Sequence, residues 1–223
     1  MRKVGNPIEV LYEDGQFIVF DKPAGLLVIP TPKKEKRTLV SIVNEQNDEA
    51  HNLHPCHRLD KETSGAIIFA KGKRHQQMMM ELFKQKGVSK KYIAFVHGQL
   101  NKKSGEIKAA IRSFDQKKYH KMEIAKPALT RYEVINAGME FSQLEVEPVT
   151  GRPNQIRIHF SQIGHPLVGD RKYAFARDYS LKFKRTALHA HRLEWINPVN
   201  HKKIQVKSVL PNDMEVFLAR NSS

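Results

Sequence analysis

The densest chemistry of the chain lies between His54 and Lys71, in the string H-P-C-H-R-L-D-K-E-T-S-G-A-I-I-F-A-K. Its first part carries His57, Arg58, Asp60, Thr63, Ser64 and Gly65. Its second part, Ala66 to Ala70, is a short apolar run of the kind that forms a buried strand. A carboxylate and an arginine on a turn that leads into a core strand are held firmly while still facing a cleft. Asp, Thr, Ser and Gly are also ordinary turn formers, and a lone Asp before a strand more often shapes a turn than catalyses. Asp60, fixed at the mouth of a strand, is read as the candidate centre of an active site beside that simpler turn reading.

Positioning such a turn requires a sheet, and the flanking sequence supplies one. Val10 to Tyr12 and Phe17 to Phe20 read as strands around the turn Asp14-Gly15. Thr38 can cap a short helix with Leu39, Ile42 and Val43 inward. Lys73 to Lys86 reads as a helix with Met78, Met79, Leu82 and Phe83 on one face and Gly87 as its stop. Tyr92 to Val96 reads as a central strand. Glu106 to Ile111 reads as a short strand, followed by the basic loop Lys117 to Lys121. Ala128 to Ile135 and Phe141 to Pro148 read as a pair around Gly138. In the second of these, Ser142, Leu144 and Val146 alternate with Gln143, Glu145 and Glu147, so one face is wet and the pairing is antiparallel. Pro153 suits the first turn of a helix that ends at Gly164, with Ile156, Phe160 and Ile163 buried. Gly169-Asp170 makes a turn, and Arg177 to Arg185 is basic with Tyr179 and Phe183 interleaved. Ala187 to Trp195 and Lys203 to Val209 read as closing strands before a last helix after Pro211. The expected fold is α+β, a mixed, largely antiparallel sheet with flanking helices around a central basic cleft, in a single catalytic domain spanning residues 1–223.

Composition narrows the partner. The 223 residues are 40% hydrophobic and 27% charged, an ordinary globular balance. With 38 Lys and Arg against 23 Asp and Glu, the formal charge is +15, which points to a polyanion, most often nucleic acid. The single cysteine, Cys56, excludes an internal disulfide and suits a reducing compartment. No apolar stretch approaches the roughly 18 residues of a membrane span, and the N-terminus lacks the apolar core of a secretion signal. A cytoplasmic location and a monomer are expected.

Other chemistries find little support. His189-Ala190-His191 would place two rings on one face of a strand, and His54 and His57 flank Cys56, but neither set has further ligands at familiar metal spacing. Pro55-Cys56 is followed by His57-Arg58, which breaks the deaminase pattern. There is no phosphate loop or dinucleotide fingerprint. Asp60 and Glu62 are too close in sequence to be assigned as a glycosidase pair, and Ser64 lacks a nucleophile-elbow context.

The string His57-Arg58-Leu59-Asp60, two spacers, then Thr63-Ser64-Gly65 and an apolar strand resembles the signature of the RluA-type pseudouridine synthases. The likeness continues along the chain. Asp21-Lys22-Pro23-Ala24-Gly25-Leu26-Leu27-Val28 resembles that family's opening segment, and Lys91 to Gly98 its tyrosine-bearing strand. Thr150-Gly151-Arg152, then Gln155 to His159 and Gly164 to Asp170, resemble its third motif, and Leu188-His189-Ala190 a further segment.

The resemblance implies isomerisation of uridine to pseudouridine in rRNA or tRNA without metal or cofactor. The uracil is detached from its ribose, turned, and rejoined through carbon. By similarity Asp60 is the catalytic carboxylate, nucleophile or base at the sugar. Tyr92, the second catalytic residue, stacks on the target base and assists the proton transfer. Arg157 pairs with Asp60, keeping it ionised and oriented. Arg58 fills the space left by the flipped nucleotide, and His57, Lys91 and Ile156 join it in substrate binding. A base inside a stem must be flipped out, at a cost of a few kcal/mol that phosphate contacts on a basic surface can offset. The chain departs from the family pattern at Asn154, where His commonly precedes Gln-Ile-Arg, and at Ala174, where Gly often follows the Tyr. The Asp-Lys-Pro segment begins at residue 21, so RNA selection is expected to rest on the catalytic domain without a separate N-terminal module. The competing expectations are an RNA-binding or RNA-folding factor whose catalysis is lost or secondary, and an RNA- or sugar-directed hydrolase.

Overall fold

In chain order the elements are β1 (Val10–Glu13), β2 (Phe17–Lys22), α1 (Leu39–Glu45), β3 (Leu53–Pro55), β4 (Ser64–Lys71), α2 (Lys73–Lys84), β5 (Val88–His97), β6 (Ser104–Phe114), β7 (Glu123–Ala137), β8 (Phe141–Pro148), α3 (Gln155–Gln162), β9 (Leu188–Ile196), β10 (Lys203–Lys207) and α4 (Asn212–Asn221). The structure, a computed structural model, describes residues 7–47, 52–114, 123–174 and 180–221. The expected basic loop at Lys117 to Lys121 and the aromatic Tyr179 lie outside the described residues. The chain divides into two compact units, Met1–Lys90 with His189–Pro211, and Lys91–Leu188 with Asn212–Ser223.

In the first unit, Asp14 makes the turn between β1 and β2. Its Oδ1 accepts the N–H groups of Gln16 at 2.8 Å and Phe17 at 2.7 Å, the side-chain mimicry that suits Asp to such turns. The strands run β1-β2-β4-β9, with β3 also on β4 and β10 on β9. All these pairs are antiparallel except β4 with β9, which is parallel through Ser64↔His189 and Gly65↔Ala190. Seven of the eight residues of β4 are buried, because neighbours cover both faces and an unbroken apolar run is what such a strand requires. Gly65 is needed there: it sits at φ +108, and a Cβ would lie 2.3 Å from the Ala190 carbonyl oxygen. Phe17, Val19, Ile68, Met79, Leu193 and Trp195 form the core of this unit. Each large side chain so buried contributes about 1.5–3 kcal/mol.

The helices of this unit follow their signals closely. Thr38 and Ser41 form a reciprocal capping box at the start of α1. Helix α2 stops before the expected Lys86: Gln85 caps it, Lys86 turns to φ 61, and the Gly87 N–H reaches back to the Leu82 carbonyl at 2.9 Å. Of its methionines, Met79 fills the core while Met80 is half exposed.

In the second unit the order is β5-β8-β7-β6, with every pair for which a register is defined antiparallel. Along β8 the expected alternation is present, with Ser142, Leu144 and Val146 inward and Gln143, Glu145 and Glu147 outward. Ala94, Val96, Leu144, Val146, Ile156 and Phe160 form an apolar cluster between this sheet and α3. The helix begins at Gln155, not at Pro153, because Asn154 adopts a left-handed conformation (φ 53) as N-cap and breaks the helical path before it. The class is α+β with a mixed, mostly antiparallel sheet, as expected from the strand pattern.

Candidate active site

Asp60 stands in the first unit, on the loop between β3 and β4. Strand β3 was not anticipated; three residues paired to β4 are too short to carry a period. Along the loop, buried Cys56 and Leu59, each 6% exposed, alternate with partly exposed His57 and Asp60 and exposed Arg58. These apolar anchors seat the loop, while Arg58 stays exposed. The Thr63 N–H closes the turn on the Asp60 carbonyl at 3.1 Å.

The next carbonyl, that of Lys61, is held from two sides. It accepts the Gly25 N–H at 2.8 Å and the Lys22 ammonium at 3.2 Å. Lys22 is fully buried and also donates to the carbonyls of Pro23 at 2.9 Å and Leu26 at 2.8 Å. A buried ammonium is tolerated when its protons are taken by acceptors in this way. The Asp-Lys-Pro segment therefore serves as a clasp on the backbone of the Asp60 loop. The family resemblance marked the Asp-Lys-Pro segment, but nothing local foretold a buried Lys22, since lysines are mostly exposed.

His57 is held through its ring. Its Nε2 accepts the Ile68 N–H at 3.0 Å, and its ring packs against Phe83 with centroids 4.9 Å apart. Burial, aided by the nearby charge of Lys90, pushes its pKa down to about 3, so it stands as a neutral acceptor. Burial pushes the Cys56 thiol up to about 12, which makes it unreactive. Ser64 is 4% exposed, too buried for a surface nucleophile.

Tyr92, Lys91, Ile156 and Arg157 stand in the second unit. Tyr92 lies opposite Val146 and packs, partly buried, against the apolar cluster that contains Ile156. Ile156 is itself a core residue, 5% exposed. Lys91 points the other way, as the period of two dictates, and is ion-paired with Glu145. That face bears a groove of about 160 Å³ lined also by Arg131, Glu133 and Glu147, rich in carboxylates.

Arg157 projects from the first turn of α3. Its Nε and Nη2 grip Asp170 at 2.6 and 2.8 Å, and its Nη1 donates to Asn154 Oδ1 at 3.0 Å. The guanidinium lies 5.0 Å from the Tyr173 ring centroid. Burial alone would raise the Asp170 carboxyl, but bonds from Arg157 and from the Lys172 and Tyr173 N–H groups outweigh it and hold its pKa below the ordinary value. The sequence offered Asp170 only as a turn residue; its second role depends on a contact across 13 positions. Asn154, one of the departures from the family pattern, here bonds Arg157.

Gln155 ties the helix start to the sheet. Its Oε1 accepts from Thr150 Oγ1 at 2.6 Å and the Arg152 N–H at 3.0 Å, while Nε2 donates to the Leu129 carbonyl and Thr130 Oγ1. His159 extends the set, Nδ1 to Thr130 Oγ1 at 2.8 Å and Nε2 to the Ala109 carbonyl at 3.2 Å. Among the described residues there is no group of three or more His, Cys, Asp or Glu placed to hold a metal ion. No helix among the described residues is long and apolar enough to cross a membrane.

Residues 16–162 match the family model described as RNA pseudouridylate synthase. With that share of the chain covered, the protein belongs to the RNA pseudouridylate synthase family and is an isomerase acting on RNA. It is of the RluA type. Over 199 residues it is 32% identical to the dual-specificity RNA pseudouridine synthase RluA of Pasteurella multocida, covering 87% of this chain and 90% of that one. It is 33% identical over 234 residues to the ribosomal large subunit pseudouridine synthase D of Xylella fastidiosa, covering 96% and 69%. The solved structure of human RNA Pseudouridylate Synthase Domain Containing 4 is similar, with a TM-score of 0.78 at 26% identity over 95% of this chain and 92% of that one.

Proposed function

We propose that this synthase converts a specific uridine of ribosomal or transfer RNA to pseudouridine, with Asp60 as the catalytic carboxylate. The observation that carries the assignment is the construction of the Asp60 loop. Its backbone is clasped at Lys61 by Lys22 and Gly25, and its turn is closed by Thr63, while Asp60 as a residue stays partly exposed. A reacting group needs that combination of fixed position and access. Tyr92 offers the aromatic face for the flipped base, Arg157 supplies a fixed positive charge, and exposed Arg58 fills the vacated place in the RNA. The whole chain serves as one catalytic domain, in a monomer, and RNA is its macromolecular partner. A ribosomal target is supported by the Xylella fastidiosa relative, whose name places its activity on the ribosomal large subunit.

Mapping pseudouridine in ribosomal and transfer RNA from cells with and without the protein identifies the target. In vitro, Asp60→Ala should abolish product, a loss of at least about a thousandfold, while still binding RNA. Product equal to that of the native chain would overturn the assignment of Asp60. Full cellular function in Asp60→Ala despite lost product would instead point to RNA folding as the main role.

A further inference from the structure

Beyond the clasp at Lys61, the first unit contains an unbroken line of hydrogen bonds that starts at the end of the Asp60 loop. Ser64 Oγ lies 3.0 Å from His189 Nδ1. His189 Nε2 lies 3.1 Å from Ser208 Oγ, and Ser208 Oγ donates to Asp21 Oδ1 at 3.0 Å. Ser64, His189 and Ser208 are 4%, 0% and 0% exposed.

The proton inventory gives the line a direction. Each serine hydroxyl has one proton and a neutral imidazole has one N–H. The Asp21 carboxylate only accepts, so the Ser208 proton goes to it. His189 Nε2 then donates, to Ser208 Oγ at 3.1 Å with the Ser208 carbonyl a second acceptor at 3.4 Å, and Nδ1 is left to accept the Ser64 proton. The line joins strands distant in sequence: Asp21 in β2, Ser64 in β4, His189 in β9, and Ser208 just past β10. Ser64 is flanked by Thr63, whose N–H closes the turn on Asp60, and by Gly65, which has no room to shift against Ala190. Fully satisfied buried networks of this kind rigidify the segments that they join.

We propose that His189, with Ser208 and Asp21, is a positioning residue for the reaction: a one-way line of hydrogen bonds orients the Ser64 hydroxyl at the trailing end of the Asp60 loop. The inference rests on the role given to Asp60 above. It adds that backbone pairing of β4 with β2 and β9 seats the end of the loop, and that the line fixes the Ser64 side chain, which the pairing alone leaves to rotate.

Two measurements test it. Long-range ¹H–¹⁵N spectra of the native protein without RNA should show His189 protonated at Nε2 and unprotonated at Nδ1; the opposite tautomer overturns the proposal. Ser208→Thr and Ser208→Val differ in shape by almost nothing except the hydroxyl. With enzyme in excess over RNA, the single-turnover rate of Ser208→Thr should exceed that of Ser208→Val by about tenfold, the rate equivalent of roughly one net hydrogen bond, at equal RNA affinity. Equal rates overturn the positioning role. If neither Ser208 variant folds, Asp21→Ala, at a partly exposed position, replaces them by removing the acceptor at the end of the line: its rate should fall by about tenfold at unchanged RNA affinity, and an unchanged rate overturns the proposal. The spectra need no RNA, so a native protein that makes no pseudouridine counts against the proposed function while the tautomer is still read.

Discussion

His57 shows how one side chain can support a site by refusing a proton. Its ring accepts the Ile68 N–H, and burial holds its pKa at about 3, against 6.5 for the ordinary group. Between those values the unfolded chain binds a proton that the folded protein excludes. The associated stability is therefore present above about pH 6.5 and is lost as pH falls toward about 3, by up to ~1.4 kcal/mol per pH unit. His97 is pushed in the same direction by burial, to about 4, and adds to the loss. In urea unfolding at pH 7.5 and pH 5, His57→Gln, which keeps an acceptor and does not titrate, should lose about 1–2 kcal/mol less than the native protein on acidification. Equal losses would mean that His57 is not held neutral. The imidazole of the motif is thus a strut for β4, a role that its place beside Arg58 and Asp60 did not suggest.

Helix α3 shows what one residue can do for an element. With Asn154 in the left-handed region and no side-chain cap, the start of the helix depends on Gln155, whose amide is satisfied at both ends by the Thr150–Arg152 turn and by β7. Gln155→Leu fits the volume but strands these partners, at a cost of about 2–4 kcal/mol by chemical denaturation. Because Arg157 projects from the same turn, the variant should also lose activity while keeping its fold at low temperature, measured as kcat against far-UV circular dichroism. A stable variant with native kcat would show that the turn is held by other means. The strand pattern of β8 needed no such help, since a period of two records directly which face is wet.

The whole molecule carries a formal charge of +15. Binding of RNA by such a chain releases counterions, so affinity should fall by about 30-fold or more between 50 and 200 mM salt, while kcat at saturating RNA stays level. Filter binding across that range checks it, and a flat profile would mean that the basic excess is not used on RNA. The charge is not spread evenly: the outer face of the second unit's sheet pairs Lys91 with Glu145 beside Glu133 and Glu147, a poor surface for phosphate.

Taken alone, the sequence determined the class of fold, the family and the turn that carries Asp60. Apolar period, capping residues and the motif string are local properties, written in neighbouring residues and readable without a partner. The tertiary structure decided how those parts are held. Lys22 clasps the Lys61 carbonyl, Asp170 grips Arg157, and Ser208 links His189 to Asp21, each across a separation that no local pattern encodes. Such contacts exist only once folding has brought the strands together and removed the water that would otherwise satisfy the same polar groups.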